Sequence, residues 1–599
     1  MKNSIQFAND DAVGAPAAPE AGRENGTAPL LCLLFLLYFM LNLRQLMDYD
    51  VWYQLIAGSY TIEHMAIPRT EFYIYSGLGE SAVFTSWLWG TVLYLCWLIS
   101  GYTGISVFNA TVWGLVFLIG AKAAVEIPRH DAPLSERASP RLHIIAAFVA
   151  SSVAYQYLAV RANARAEVTL FLVWVVAVYF SAGIANDRGR LHRFLVTAPL
   201  LAWMLGWIHT TAVFITAFLV FGLVQASMDS LRARGAGEFR VFVREDLWKW
   251  ILSIFFSASL PLLNPNGIHS ALALFTSSAD VILGIFDVKS TAPKVLHVNL
   301  EYRGLLDVPE RWPLASLFFV SALFVIWQDK RRRIANLLLM LLGLSLSLLH
   351  VRGLAVWAIF LMIPLAICLA KIFAEYESRI GPGRRRSLAN CILLACCFWS
   401  AGVVFNTQRA FWGAGYAHSP ATESVLKTIK QDMPRGGNIF NWHADGAFLR
   451  WHLGDKYLVA MDGHLLDEKS PMSAAYHAIE DFNERTPALI EQWAIGAVYH
   501  HAVNPITGEI YSLPYYLLNN RDWRVGGVSE GNVLFTKKAD PGDERNRNLL
   551  NAEYWRTVAA NARNIELRSS QPEYKIKARA SFELAVLNLE TIQKTLNGK

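Results

Sequence analysis

Met47-Asp48-Tyr49-Asp50-Val51-Trp52-Tyr53-Gln54 stands where the first long apolar run of the chain, 29–47, gives out. A run of that length is enough to cross a hydrocarbon core of roughly 30 Å. The octapeptide therefore reads as the point at which the chain leaves a membrane. Two carboxylates and three aromatics at a bilayer surface are costly unless they serve an ion, a partner or a reaction. On an extended segment Asp48 and Asp50 face the same way. On a continuing helix Asp48 lies one turn beyond Arg44 and pairs with it. The first arrangement suits a general base, or a metal or phosphate-linked site, and the second is a helix-end ion pair.

The rest of the chain agrees with a membrane setting. Over 599 residues it is 54% hydrophobic and 17% charged, too apolar for an ordinary soluble enzyme. Further apolar windows lie at 104–125, 143–160, 168–184, 195–228 (two passes around His209), 250–263, 312–327, 334–349, 353–372 and 388–404. These give a polytopic α-helical protein with about eleven crossings. The segment 82–99, with Trp87, Trp89 and Trp97 broken by Thr, Ser and Gly, suits an interfacial or re-entrant helix better than a twelfth span. Residues 1–28 lack the basic start and cleavage site of a secretory signal and read as a disordered cytoplasmic tail.

A net charge of +6 raises the question of nucleic acid, and its distribution answers it. The basic residues gather in a few short loops, around Arg129, Arg188, Arg240, Arg332 and Arg385, which is the positive-inside pattern and not a nucleic-acid face. None of the six cysteines lies in the polar C-terminal region, so no disulfide framework and no CxxC metal site is implied. With the basic loops cytoplasmic, the external side collects loops 48–103 and 264–311 together with Arg161, Arg165, Glu167, His209, His350 and Arg352. A long excursion at 268–311 has the length of a lid or binding loop and carries Lys289, Lys294 and Arg303. The last span delivers residues from about 406 to the same side.

That C-terminal part is of different composition. A helix over Glu423–Asp432 alternates with strand-like runs at 437–441, 457–461, 497–499 and 533–535, which predicts a soluble α/β domain over 406–540. Residues 541–599 show helical spacing with a break at Ser569-Ser570-Gln571-Pro572, predicting a terminal hairpin. Asn441–Trp451 and Met461–His464 combine aromatics with hydrogen-bonding side chains, a mixture that suits carbohydrate and equally suits strand-end turns over a core. His443, Asp462 and His464 lack the short spacing of a zinc set. No Gly-rich phosphate loop, nucleophile elbow or HExxH is present.

The order Asp48-x-Asp50-x-Trp52-Tyr53, then Gly58, then Ile67-Pro68-x-Thr70-x-Phe72-Tyr73 and a Trp-rich segment resembles the first external loop of bacterial GT-C membrane glycosyltransferases. That superfamily includes dolichyl-phosphate-mannose protein mannosyltransferases and the aminoarabinose transferase of lipid A. The resemblance spans roughly 30–405 and continues with Arg161-x-x-x-Arg165-Ala166-Glu167, His209, Asn264-Pro265-Asn266-Gly267 and His350-Val351-Arg352. The chain departs from it at Gln54 in place of His, Ala166 in place of Pro and Trp207 in place of Asn.

The resemblance implies an inverting transferase that moves a sugar from a polyprenyl-phosphate donor to an envelope glycan, lipid or protein on the external face of the cytoplasmic membrane. In that scheme Asp48 or Asp50 is the base, and Arg161, Arg165 and Arg352, with His209, His350, Lys289, Lys294 and Arg303, bind the donor phosphate. Trp52, Tyr53, Trp442 and Asp462 meet the acceptor. No bound cofactor is required beyond the lipid-linked substrate, and a divalent cation is left open. Physical logic points the same way: a lipid phosphate at headgroup level needs cations beside an apolar groove, and arginine presents two parallel donors to it. Two other classes remain, a transporter or flippase of lipid-linked glycans and a non-catalytic scaffold with this fold. The transporter predicts ionisable groups deep in several helices and related halves, and the sequence holds few of the former and no internal repeat. A cysteine placed at Tyr49 should react with a membrane-impermeant maleimide added outside intact cells; protection from the reagent would put the Asp pair on the cytoplasmic side.

Overall fold

A computed structural model describes residues 27–46, 48–131, 138–184, 186–234, 236–267, 305–329, 332–377, 379–380, 382–408, 412–416, 419–463, 471–529, 531–537, 544–569 and 571–597. The amino-terminal tail, apart from residues 27 and 28, and the lid segment with Lys289, Lys294 and Arg303 lie outside the described residues, as does His464.

The membrane half consists of apolar helices running between two ends. They are α1 Thr27–Leu41, α3 Trp87–Asp131, α4 Pro140–Leu158, α5 Glu167–Phe180, α6 Arg188–Ile208, α7 Val213–Arg234, α9 Leu247–Ser259, α10 Trp312–Gln328, α11 Arg333–Leu349, α12 Gly353–Glu377 and α13 Pro382–Gln408. Between them lie the short α2 Tyr49–His64 and α8 Ala236–Glu245. Six of these helices are long and apolar enough to cross a membrane, a seventh span is the bent pair of α8 and α9, and α1, α5, α10 and α11 are shorter apolar helices. The protein is thus a polytopic helical membrane protein with a C-terminal α/β domain.

Packing follows composition. Nearly every residue of α12 is apolar and most are buried, so it sits at the bundle centre against α4. The facing helix is rich in small residues (Ala146, Ala147, Ala150, Ser151, Ala154), which let backbones approach where lipid supplies no hydrophobic drive. In α3 the helix breaks at Ser100 and Gly101, the latter in the left-handed region at φ +60°. The first limb of α3 packs its Tyr94 and Trp97 rings on Trp451, with centroids 6.2 and 5.3 Å apart. Trp451 belongs to the C-terminal domain, so this Trp-rich limb lies at that domain's end of the bundle and only the second limb runs to the other end.

In the C-terminal domain α14 Pro420–Asp432 precedes β1 Gly437–Asn441, α15 Gly446–Leu453, β2 Tyr457–Val459, α16 Pro471–Glu480, α17 Thr486–Gln492, β3 Ile495–His501, α18 Ser512–Asn519, β4 Trp523–Ser529 and β5 Asn532–Lys537. The sheet order is β2-β1-β3-β5-β4, with β1 parallel to β2 and β3 and the other pairs antiparallel. The β4 strand gives little sequence signal because Gly526-Gly527 interrupts its alternation and shifts its register against β5. Helices α19 Glu544–Arg568 and α20 Pro572–Leu596 pair as a terminal hairpin.

Backbone hydrogen bonds also join the two halves. Glu71 is buried, and its Oε1 accepts the N–H groups of Phe72, Tyr73 and Ile74 at 2.9, 3.0 and 3.1 Å. The turn so formed presents Tyr73 O to the Val459 N–H at 3.0 Å and Ile74 as a parallel bridge to Val459, adding a short strand-like edge to β2. Beneath it α2 and α3 cross at two glycines. A Cβ at Gly58 would lie 2.2 Å from Gly90 O, and one at Gly90 would lie 2.1 Å from Gln54 O. Because backbone, not a movable side chain, blocks that space, Gly90→Val should cost about 3 kcal/mol or more. A melting temperature of the detergent-solubilised variant equal to that of the parent would show that the crossing can open.

Candidate functional site

Beyond the end of α1, Asp48 is the N-cap of α2, with extended backbone, and accepts the Asp50 N–H at 3.0 Å. Arg44, the helix-end partner considered from sequence, does not meet Asp48. It turns inward and donates to Ala159 O at 2.5 Å and Tyr155 Oη at 3.1 Å. The partner of Asp48 comes from 117 residues away: Arg165 Nε donates to Asp48 Oδ2, and Asn163 Nδ2 donates to the same oxygen at 2.7 Å. Arg165 Nε also lies 3.3 Å from Asp50 Oδ2, so one guanidinium bridges both carboxylates.

The loop that carries Arg165 is itself held. Asn109 Nδ2 donates to Ala162 O at 3.0 Å and the Trp89 indole to Ala164 O at 3.1 Å, while the small Ala162 and Ala164 are buried beneath. Arg161, at the start of that loop, gives both its Nε and an Nη to Glu167 Oε2, at 3.1 and 2.6 Å. The Arg161 side chain is only 3% exposed, with its guanidinium turned to Glu167. Arg352 and His209 both lie within electrostatic reach of Glu167, and His350 caps the end of α11 two residues before Arg352. Burial lowers the affinity of His209 for a proton; the Glu167 charge opposes this, and Arg352 and Arg161 add to it.

The two aspartates differ in environment. The Asp48 side chain is 2% exposed, against 34% for Asp50. Burial by itself raises the Asp48 carboxyl, but the Arg165 charge and hydrogen bond, the Asp50 N–H and the Arg161 charge together outweigh it and hold Asp48 below its ordinary value. Asp50 faces the C-terminal domain, where a Cβ on Gly463 would sit 3.8 Å from its Oδ1. Next to it Tyr73 Oη donates to Asp462 Oδ2, and the Tyr53 phenol lies within electrostatic reach of Asp50, Arg165 and Asp462. Burial, and after it the Asp50 charge, raise the Tyr53 phenol. Asp48, Asp50, Tyr53, Arg165 and Asp462 therefore share one place, with Arg161, Glu167, His209 and Arg352 beside it.

Two proposed acceptor contacts are corrected. Trp52 is 2% exposed and its ring packs edge-on against Tyr102, Tyr416, Phe448 and His452, so it joins α2 to α15 and offers no surface. Trp442 is likewise buried, at the carboxyl ends of β1 and β3 among His443, His500, His501 and Tyr511. Burial depresses His443 to about 4 and His501 to about 3, leaving both neutral at pH 7. Asn163 and Glu71 were passed over in the sequence. The signal for Asn163 was its place between two arginines in Arg161-Ala162-Asn163-Ala164-Arg165. Among the described residues no three His, Cys, Asp or Glu gather as metal ligands, and the charge lying between Asp48 and Asp50 is that of Arg165.

An apolar bundle carrying charged groups at one end, under an α/β domain docked by β-bridging, defines a polytopic membrane protein with a site at its water boundary. No protein-family model and no curated protein matches the sequence. The structure of the Archaeoglobus fulgidus oligosaccharyltransferase AglB in complex with an inhibitory peptide and a dolichol-phosphate aligns with a TM-score of 0.53 at 12% identity, covering 87% of this chain and 75% of that one. The apo form of the Archaeoglobus fulgidus oligosaccharyltransferase aligns at 0.55 and 11%, over the same shares. In fold the chain is similar to these two oligosaccharyltransferase structures.

Removing one member of the buried ion pair leaves the other uncompensated. Asp48→Asn should lower stability by about 3 kcal/mol, and Arg165→Met combined with it should recover part of that loss in a double-mutant melting series. The Asp48 contribution is fully present above its unfolded pKa of about 3.9 and disappears only as pH falls through the lower folded value. The Asp48→Asn penalty should therefore be the same at pH 6 and pH 8, and a penalty that changes over that interval would assign the coupling to another group.

Proposed function

We propose that the protein is an inverting glycosyltransferase that takes a sugar from a polyprenyl-phosphate donor and passes it to a hydroxyl acceptor at the outer surface of the cytoplasmic membrane. The observation that carries this reading is the meeting of Asp48, Asp50 and Arg165 with Glu167, Arg352 and His209 at one end of the bundle, beneath the edge of β2. The GT-C fold supports it.

Asp50 is the base. It is the more exposed of the pair, it faces Gly463, and its carboxylate can reach an acceptor lying along the C-terminal domain. The acceptor O–H proton passes to Asp50 as its oxygen bonds to the anomeric carbon. The carbon–oxygen bond to phosphate breaks on the opposite face, and the electron pair leaves on the phosphate. Arg352, with His209 and His350 beside it, receives that charge. Asp48 holds Arg165 in place and does not itself exchange protons, because its carboxyl is buried against the guanidinium. Tyr53 and Asp462 border the acceptor side, and Arg161 acts by fixing Glu167.

Purified protein incubated with a polyprenyl-phosphate sugar should release polyprenyl phosphate when an acceptor is present. In Asp50→Asn the rate should fall by roughly 10²- to 10⁴-fold with an unchanged melting temperature. Full activity in that variant removes the mechanism, and no sugar release from any lipid-linked donor would favour a transport or scaffold role.

A further inference from the structure

At the Asp48 end of the bundle Arg44, Arg161 and Arg165 give their guanidinium groups to the protein itself: Arg44 to Ala159 O and Tyr155 Oη, Arg161 to Glu167, and Arg165 to Asp48 and Asp50. Arg311, which the sequence reading passed over, does not. It is half-buried on a short 3-10 turn, Pro309–Arg311, at the N-cap of α10. Its backbone is fixed there, since its own N–H donates to Val308 O at 3.0 Å and the Trp312 indole donates to Leu305 O at 3.0 Å, with Leu305 and Val308 buried. The side chain lies over the Tyr157 ring, Cζ 5.6 Å from the ring centroid, and makes no hydrogen bond or ion pair among the described residues.

A cation held over an aromatic ring spends none of its N–H groups on that contact, so the fork of Arg311 keeps its donors for an acceptor from outside the protein. Tyr157 fixes where that fork stands. Its ring is buried, and it lies in the last turn of α4, one turn before Arg161. Arg161 is bonded to Glu167, the carboxylate on which Arg352 acts and in whose field His209 lies. The 3-10 turn Leu305–Asp307 just before Arg311 packs on α11, the helix whose end carries His350. Arg311 thus approaches the Glu167, His209 and Arg352 group from the α10 side. Below it α10 exposes Trp312, Phe319, Val320, Leu323 and Trp327, so an unspent cation tops an apolar wall.

We infer that Arg311 is a ligand of the donor phosphate, held by Tyr157 so that its N–H edge meets the non-bridging oxygens. The inference rests on the sugar-transfer reading and adds to it a residue of the donor site. Two parallel N–H donors match two phosphate oxygens, and they gain strength when the carbon–oxygen bond breaks and its electron pair stays on the phosphate. A lysine at the same place would bring the charge as a point, without the planar fork and with a more strongly hydrated head. The same oxygens occur on free phosphate; the apolar face of α10 beneath the guanidinium favours a phosphate that carries a prenyl chain.

Isothermal titration of the full-length protein in detergent with farnesyl phosphate and with inorganic phosphate tests it, alongside sugar release from a lipid-linked donor by the same preparations. Arg311→Met should weaken farnesyl phosphate binding by roughly 10- to 100-fold through the loss of charge-assisted hydrogen bonds, with an unchanged melting temperature. Arg311→Lys should recover only part of that loss. Inorganic phosphate should bind the parent more weakly than farnesyl phosphate. Absence of farnesyl phosphate binding by the parent, equal binding by Arg311→Met or by Arg311→Lys, or inorganic phosphate binding as tightly as farnesyl phosphate would each overturn the assignment, and sugar release by the parent would leave the transfer reading standing. Binding that depends on Arg311 in a protein that releases no sugar from any lipid-linked donor would uphold the phosphate contact and remove the transfer reading instead.

Discussion

The ion pair between Asp48 and Arg165 is the constraint on which the site depends. It closes a loop of more than a hundred residues, joining the N-terminus of α2 to the turn between α4 and α5. Neither partner reaches that position cheaply. A buried carboxylate is costly unless a cation and hydrogen bonds compensate it, and here Asn163, the Asp50 N–H and Arg165 all point at one side chain. The consequence is a difference in exposure between two aspartates of one helical turn, 2% against 34%. One is consumed in positioning, and its neighbour is left at the surface with the same guanidinium at its shoulder.

From that fixed point the neighbouring chemistry is arranged outward. Arg161 and Glu167 repeat the pattern one helix further on, an arginine buried against a carboxylate, and Arg352 and His209 sit in the field of that pair. On the other side the Glu71 turn brings Tyr73 to Asp462 and ties the first external loop to β2. The C-terminal domain is thus part of the site's wall: its Gly463 borders Asp50, and its α15 receives the Trp52 ring. Aromatic packing at that junction sets Tyr94, Trp97 and Tyr102 against Trp451 and His452. They form the contact between a membrane bundle and a polar domain, where one end of a ring is dry and the other wet.

The two ends of the bundle are chemically distinct. At one, arginines and aspartates are paired across helices with donors converging on carboxylates. At the other, Asp131, Asp187 and Asp246 pair with Arg332, Arg190 and Lys249 around a cavity whose lining also holds Arg188, Asp229, Asp329 and Lys371. Helices that must satisfy their own backbone in lipid can place such groups only where they end, and both sites sit at helix termini.

That same rule explains what could be read from the sequence. The lengths of the apolar runs and the basic loops between them set which residues lie at a common end, because a helix crossing lipid has almost no other course. Asp48, Arg165, His209 and Arg352 could be grouped on that basis without knowing any contact. Partner choice was a different matter. Arg44 is nearer to Asp48 in sequence than Arg165, yet it turns away toward Ala159 and Tyr155. Trp52 reads as an exposed aromatic until α15, some four hundred residues later, is packed over it, and Tyr73 meets Asp462 across 389 residues. Periodicity and charge carry information about which face and which end a residue occupies. They carry none about the long-range pairings, since those depend on how one helix lies on another.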